Sequence, residues 1–310
     1  MRISQFHLIA AVVFILLGSA SCLPNYPGGN ARNTSVIESP LTSASIMPGA
    51  AENSSNNPTF LSHMNVTEWA FTSPSGQWVA TGLVAFPKPD SSEQLAFTRV
   101  IIFNTQSNIK RVVLERWDEL NLGFPYPEPL EWSSNEDFFY FTNKVIPDGC
   151  PAFHFLSGLF RTNLGDGTVG ELLAANASSW VALSPDQSIV AYAGVGGRGL
   201  VFRDLEKGEE KEISIDPGKD YQAGYILWSP DGKFVVLTLA INRCAGNHGE
   251  SSSILLVDAE TLQTRLLLQE DPRLFITWDW SEPGTITLAN GSGDGALWQI
   301  DVNSGEITQE

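Results

Sequence analysis

Five times in this chain an aromatic-bearing run stops at a serine-centred turn and then resumes as an apolar run. The turn serines are Ser73, Ser133, Ser184, Ser229 and Ser281, spaced 60, 51, 45 and 52 residues apart. The cleanest copy reads Ile226-Leu-Trp-Ser-Pro-Asp-Gly-Lys-Phe-Val-Val-Leu-Thr-Leu239. Self-similarity at a period near fifty marks a repeat architecture, in which one unit cannot bury its apolar faces alone and must stack on its neighbours.

Each repeat reads as four strands. In the fourth copy the spacing predicts strand A over Tyr225–Trp228, strand B over Phe234–Ala240, strand C over Ser253–Asp258 and strand D over Thr264–Gln269. The A–B turn has a mechanism: Pro presets φ, Asp hydrogen-bonds nearby backbone and Gly tolerates positive φ. A second hairpin, between C and D, also recurs five times, as in Leu200-Val-Phe-Arg-Asp-Leu-Glu-Lys-Gly-Glu-Glu-Lys-Glu-Ile213. Four antiparallel strands per unit with nothing helical between them predict an all-β β-propeller of five four-stranded blades, with six possible. A β-sandwich with coincidental turns is the competing fold, and it does not call for one turn at a fixed period. The propeller would occupy residues 60–310, after a signal peptide at 1–21 and a flexible linker at 22–59. The tryptophans fit a blade core. Trp132, Trp228 and Trp280 sit immediately before their turn serines, whereas Trp69 and Trp180 lie four before, so the two sets face opposite sides of strand A.

Trp228-Ser-Pro-Asp-Gly-Lys233, Leu183-Ser-Pro-Asp186 and Thr72-Ser-Pro-Ser-Gly76 carry a resemblance to the PD40 or TolB-type family of WD40-like propellers. The resemblance covers about residues 60–310; its motif is specific for the fold and nearly silent on function, and the expected role is that of a binding or scaffolding module. The Ser133 and Ser281 copies depart from the motif. That family's propellers are commonly six- or seven-bladed, against five repeats here.

At the front, Leu8–Leu17 is an unbroken apolar run preceded by Arg2 and followed by Gly18-Ser-Ala-Ser-Cys22. This is the positive–apolar–small layout of an export signal. Ten apolar residues fall short of the ~20 that span a bilayer. The small residues ending at Cys22 resemble a bacterial lipoprotein box with Cys22 as the lipidated residue, although Ser19 stands where Leu is usual. Residues Leu23–Pro58 are rich in Ser, Asn, Pro, Gly and Ala, which suits a tether. The expected location is a membrane-anchored lipoprotein on a periplasmic or extracellular face, otherwise a secreted protein.

The net charge of −17 disfavours nucleic acid as a partner, because such a surface neutralises no phosphates. The chain has no Gly-x-Ser-x-Gly elbow, Walker A loop, His-Glu-x-x-His or dinucleotide fingerprint, and it implies no cofactor. Candidate carboxylates for a channel site are Asp90, Asp118, Glu128, Asp148, Asp220, Glu250 and Asp271. A carbohydrate-active hydrolase or lyase would need two or three of them to converge. The stretch Trp117–Leu130 reads as a loop joining repeats one and two. Trp117, Phe124 and Tyr126, stiffened by three prolines, are its candidate anchors for a protein, peptide or saccharide at the cell envelope. The alternative for these rings is that they plug the channel or cover a blade gap. Asp148 and Asp220 are further candidate binding residues on the same face.

Cys150 and Cys244 both fall between strands B and C, in repeats two and four, and each is followed by a His: Cys150-Pro-Ala-Phe-His154 and Cys244-Ala-Gly-Asn-His248. Export favours a Cys150–Cys244 disulfide, whose loop of about 95 residues gives roughly 4–5 kcal/mol in the chain-entropy model. The obstacle is that repeats two and four are not neighbours in a ring of five. A Cys2His2 metal site at Cys150, His154, Cys244 and His248 is the alternative, and unpaired thiols are the third.

Overall fold

The repeat pattern is realised as five consecutive four-stranded antiparallel meanders. The structure is a computed structural model, and it describes residues 64–89, 91–92, 94–120, 124–145, 152–194, 199–215, 221–241, 251–290 and 296–309. The signal peptide, the linker, Cys22, Asp90, Asp148, Cys150, Asp220, Cys244, His248 and Glu250 lie outside these residues. Blade 1 comprises β1 (Met64–Thr72), β2 (Trp78–Pro87), β3 (Leu95–Asn104) and β4 (Lys110–Glu119); blade 2 comprises β5 (Pro125–Trp132), β6 (Phe138–Val145), β7 (Phe155–Asn163) and β8 (Val169–Leu173). Blade 3 is β9 (Ser178–Leu183), β10 (Ile189–Gly194), β11 (Gly199–Asp204) and β12 (Glu210–Ser214); blade 4 is β13 (Tyr221–Trp228), β14 (Phe234–Ile241), β15 (Ser252–Asp258) and β16 (Thr264–Asp271). Blade 5 is β17 (Phe275–Glu282), β18 (Thr285–Asn290), β19 (Leu297–Asp301) and β20 (Ile307–Gln309). Every sheet runs in simple sequential order, as a propeller blade requires.

The A–B turns work as the sequence implies, and the structure adds the hydrogen-bond logic. In four blades the turn serine is buried and its hydroxyl accepts the backbone N–H five residues on: Trp78 at 3.1 Å, Phe138 at 2.8 Å, Ile189 at 3.0 Å and Phe234 at 2.9 Å. The same hydroxyl donates to Asn135, Asp186 or Asp231 two residues on. A buried hydroxyl left without partners would cost on the order of 1–3 kcal/mol, so each serine anchors its turn. The fifth copy differs. Ser281 is exposed, β17 runs past it to pair Glu282 with Thr285, and the reversal moves to Pro283–Gly284.

Blades pack face to face through alternating positions. Phe139, Val190, Val235 and Ile286 occupy one equivalent position on the second strand of blades 2 to 5, facing the preceding blade, and all four are fully buried. The largest apolar cluster runs through blades 2, 3 and 4, a second joins blades 4 and 5, and a third joins blades 1 and 2. Trp132, Trp180, Trp228 and Trp280 are buried in these seams, in keeping with their predicted core role.

Side chains also pin each blade to the next. Arg111 of blade 1 donates to the Leu164 and Gly165 carbonyls in the C–D turn of blade 2. Arg265 of blade 4 makes the same pair of bonds to Val302 and Asn303 of blade 5.

Candidate functional site

The connection from β6 to β7 leaves its own blade. Just before β7, the Phe153 backbone N–H donates to the Gln222 side-chain oxygen at 3.1 Å, and the Gln222 amide returns a bond to the Phe153 carbonyl at 3.3 Å. Gln222 belongs to β13, so blade 2 is clasped to blade 4 across the innermost strand of blade 3. Both partners are buried, and a two-point amide clasp there fixes register as well as position.

Four rings fill the space around the clasp. Trp180 and Tyr225 lie 4.4 Å apart, centroid to centroid; Phe153 meets Tyr225 edge-on at 5.1 Å; His154 sits 5.0 Å from Trp180 and 6.0 Å from Tyr225. Gly224 allows this approach: a Cβ there would fall 2.9 Å from the Phe153 ring and 3.1 Å from Trp180. Tyr225 adopts φ of +48°, a left-handed conformation that costs a non-glycine residue roughly 1–2 kcal/mol. Its carbonyl accepts the Thr277 hydroxyl of blade 5, which holds it there. Such an outlier, over-determined by its surroundings, is typical of functional or clamp positions.

The electrostatics of this cluster favour neutral groups. Burial, with the Lys144 charge in second place, lowers the His154 pKa to about 4, so the imidazole is uncharged at neutral pH. Burial raises the Tyr225 phenol to about 12. Within blade 2, Lys144 of β6 pairs with Glu128 of β5 at 3.5 Å.

Of the seven candidate carboxylates, the three among the described residues stand in three different blades. Among the described residues, Asp118 pairs with Arg116 in blade 1, Glu128 with Lys144 in blade 2 and Asp271 with Arg273 in blade 4. Each is met by a cation of its own blade. Among the described residues the carboxyl with a strongly raised pKa is Glu131, at the seam between blades 2 and 3. Burial raises its pKa to about 7, partly offset by a hydrogen bond from Gln187. Among the described residues no group of three or more His, Cys, Asp or Glu is placed to hold a metal ion. Of the four proposed metal ligands only His154 is described, and it is packed between rings.

The stretch Trp117–Leu130, read above as a loop, is mostly strand: β4 continues through Trp117 to Glu119, and β5 begins at Pro125. The prolines misled the reading because β5 is an innermost edge strand. Its unpaired side needs no N–H donors, so Pro127 and Pro129 are tolerated. The three anchor candidates are not brought together. Phe124 is buried with Val84 and Ala96 at the blade 1–blade 2 seam, edge-on to Phe86 at 5.7 Å, and Tyr126 packs on the same cluster. Burial and then the Glu128 charge push the Tyr126 phenol well up. Trp117 lies on the opposite side of blade 1, 46% exposed and beside Phe97. The clasp itself escaped sequence reasoning. The one signal was the matched placement of Cys150 and Cys244 between strands B and C of repeats two and four, for which a disulfide between those blades was one reading.

No protein-family model matches the chain, and no curated protein matches it in sequence. Among solved structures, TolB from Acinetobacter baumannii aligns at 13% identity and a TM-score of 0.43, over 79% of this chain and 54% of that one. The chain thus spans about half the length of that protein. The β-propeller domain of the Trilobed protease from Pyrococcus furiosus aligns at 15% identity and a TM-score of 0.47, over 80% of this chain and 71% of that one. An auxiliary nutrient binding protein from Bacteroides thetaiotaomicron aligns at 11% identity and a TM-score of 0.42, over 78% of this chain and 56% of that one. At these scores the likenesses carry no inference about function, and the propeller architecture rests on the five sheets themselves.

Proposed function

We propose that this chain is an exported, lipid-anchored propeller that binds a protein, peptide or saccharide at the cell envelope. The observation that carries the binding reading is the clasped plug of Phe153, His154, Trp180, Gln222 and Tyr225. It stiffens the face bearing the B–C connections with neutral, ring-rich groups, where a hydrolase or lyase would need converging acids. The apolar run Leu8–Leu17 and the small residues before Cys22 support export and lipidation at that cysteine. A photo-crosslinking residue at Tyr221, beside the plug, should capture an envelope component, whereas the same residue at Lys207, on a C–D turn, should not. Equal capture at both positions, or cleavage of envelope glycans by the purified protein, overturns the binding reading. Cys22→Ser should move the protein from the membrane to the soluble fraction; if it stays membrane-bound, the anchor is not at Cys22.

The clasp also supports a Cys150–Cys244 disulfide. Phe153 follows Cys150 by three residues, and its partner Gln222 pairs in register with Ala240, four residues before Cys244. The link between non-neighbouring blades that the bridge requires is therefore already made by described residues. The oxidised chain should be lighter by about 2 Da than its reduced form. Equal masses would exclude the bridge.

A further inference from the structure

Two intact copies of the turn motif stand side by side at one joint between blades. Blades 3 and 4 both read Ser-Pro-Asp, at Ser184–Asp186 and Ser229–Asp231, whereas blades 1, 2 and 5 read Ser-Pro-Ser, Ser-Ser-Asn and Ser-Glu-Pro. The two turns abut: a Cβ placed on Gly232 would lie 3.6 Å from the Pro185 ring. Between them is a hollow of about 190 Å³. Pro185, Ile189, Trp228 and Pro230 form its apolar lining. Trp228 is fixed there, its indole N–H donating to the Ala182 carbonyl of blade 3 at 3.1 Å and its ring meeting Phe202 edge-on at 5.7 Å. Asp186 and Asp231 complete the lining, and both are exposed.

Both carboxylates are charged at neutral pH. Hydrogen bonds from the Ser184 hydroxyl and from Ser188 hold Asp186 below its usual range, and those from the Ser229 hydroxyl and from Lys233 do the same for Asp231. Among the described residues Asp186 is met by Ser184 and Ser188 and by no cation. Lys233 meets Asp231 at 3.1 Å, but its side chain is 73% exposed, and so open an ion pair is easily displaced. Apolar walls with unbalanced negative charge beside them complement a cation carried on an apolar stem. A guanidinium is the best match, because it is planar, weakly hydrated, stacks on rings and pairs with carboxylates through two N–H groups. The hollow is smaller than the ~300 Å³ at which pockets take drug-sized ligands, so its occupant is small. We propose that this hollow binds a small free alkylguanidinium, with its stem against Trp228 and the two prolines and its head toward Asp186 and Asp231. The A–B turns lie at the opposite end of the blades from the B–C connections, so this site and the ring-rich plug stand or fall separately.

The test is calorimetric titration of the full-length chain in detergent with butylguanidinium and with butylurea, its neutral isostere. Butylguanidinium should saturate with a Kd of about 1 mM, weakening as salt rises, and butylurea should bind at least ~10-fold more weakly. Asp186→Asn and Asp231→Asn should each weaken butylguanidinium by about fivefold. Asparagine keeps the turn, since Asn135 at the same position of blade 2 already accepts the Ser133 hydroxyl at 2.8 Å, so melting temperatures should stay near that of the wild type. Asp137→Asn, which removes the same charge from the blade 2 turn, should leave binding unchanged. Equal binding of the two compounds by the wild type overturns the proposal whatever the variants do. So does a titration that shows no saturation by ~20 mM, or an Asp186→Asn effect no larger than that of Asp137→Asn.

Discussion

The seams inside the wheel and the outward face of blade 1 are built on the same template and end in opposite environments. Between blades 2 and 3, or 3 and 4, the aligned positions carry Val190 and Tyr192, or Val235 and Leu237, all buried. On blade 1 the aligned positions carry Val79 and Thr81, both half-buried. The strand pairing is identical in kind and Val79 matches Val190 and Val235 in size, so neither backbone geometry nor side-chain volume distinguishes them; the presence of a neighbour does. Stability in such an array is close to a sum of unit and neighbour terms, and a terminal unit has one fewer neighbour.

The largest expected effect tests that contrast directly. Phe139→Ala should cost ~3–5 kcal/mol, because the void opens in a sealed seam, whereas Val79→Ala should cost under ~1 kcal/mol. Equal losses in denaturant titrations would show that the outward face of blade 1 is as sealed as the inner seams.

The next effect concerns two buried groups with opposed pH behaviour. Glu131 has its folded pKa raised from 4.5 to about 7, so the stability it lends is full below pH 4.5 and is lost as pH rises through 7. His154 has its folded pKa lowered from 6.5 to about 4, so its penalty is absent above pH 6.5 and grows as pH falls toward 4. Between those limits the two slopes oppose each other. Glu131→Gln should therefore stabilise the protein at pH 8 by up to ~3 kcal/mol, with the gain vanishing near pH 4.5. Thermal melts across that range check it; a gain that persists at pH 4.5 would mean packing and not ionisation is responsible.

The smallest effect lies in the turns. The fourth residue of each A–B turn has positive φ: Gly76, Glu136, Gln187, Gly232 and Gly284. Glycine is free to do this, and Glu and Gln are not. Blade 1 has Ser75 where blades 3 and 4 have Asp186 and Asp231, so within its own turn the Ser73 hydroxyl meets only the Ser75 hydroxyl, at a long 3.4 Å, and no carboxylate. Glu136 of blade 2 supplies the carboxylate, taking hydrogen bonds from the Ser73 hydroxyl at 3.0 Å and from the Ser75 N–H and hydroxyl at 2.7 and 2.6 Å. Burial pushes that carboxyl up, but the bonds from Ser75 and Ser73 outweigh it and hold it below its usual range. Gln187 likewise donates back to the Trp132 carbonyl at 2.9 Å. Glu136→Ala should cost ~1–2 kcal/mol by leaving Ser73 short of a partner. Gln187→Gly should be nearly neutral, because relief of strain offsets the lost bond. If Glu136→Gly proved stabilising, the staple would be worth less than the strain.

The period of the turn serines and the alternation of the flanking runs made the five sheets legible in advance, since both are local. The fourth repeat shows the limit. Its first strand begins at Tyr221, not Tyr225, because a bulge between Gly224 and Leu227 absorbs the positive φ of Tyr225, which no local pattern announces. The site was less legible still. Phe124 and Trp117 are seven residues apart and read as neighbours, yet the register of β4 sends them to opposite sides of blade 1. Gln222 meets Phe153 across 69 residues, a contact set by how blades 2, 3 and 4 pack and not by any local pattern.

The staples at Glu136 and Gln187 both reach backwards, toward the blade synthesised before them. A chain whose repeats were shuffled would keep every hairpin yet strand these two side chains opposite the wrong neighbours. The order of blades 1, 2 and 3 is thus written into side chains at their joints as well as into the connecting chain.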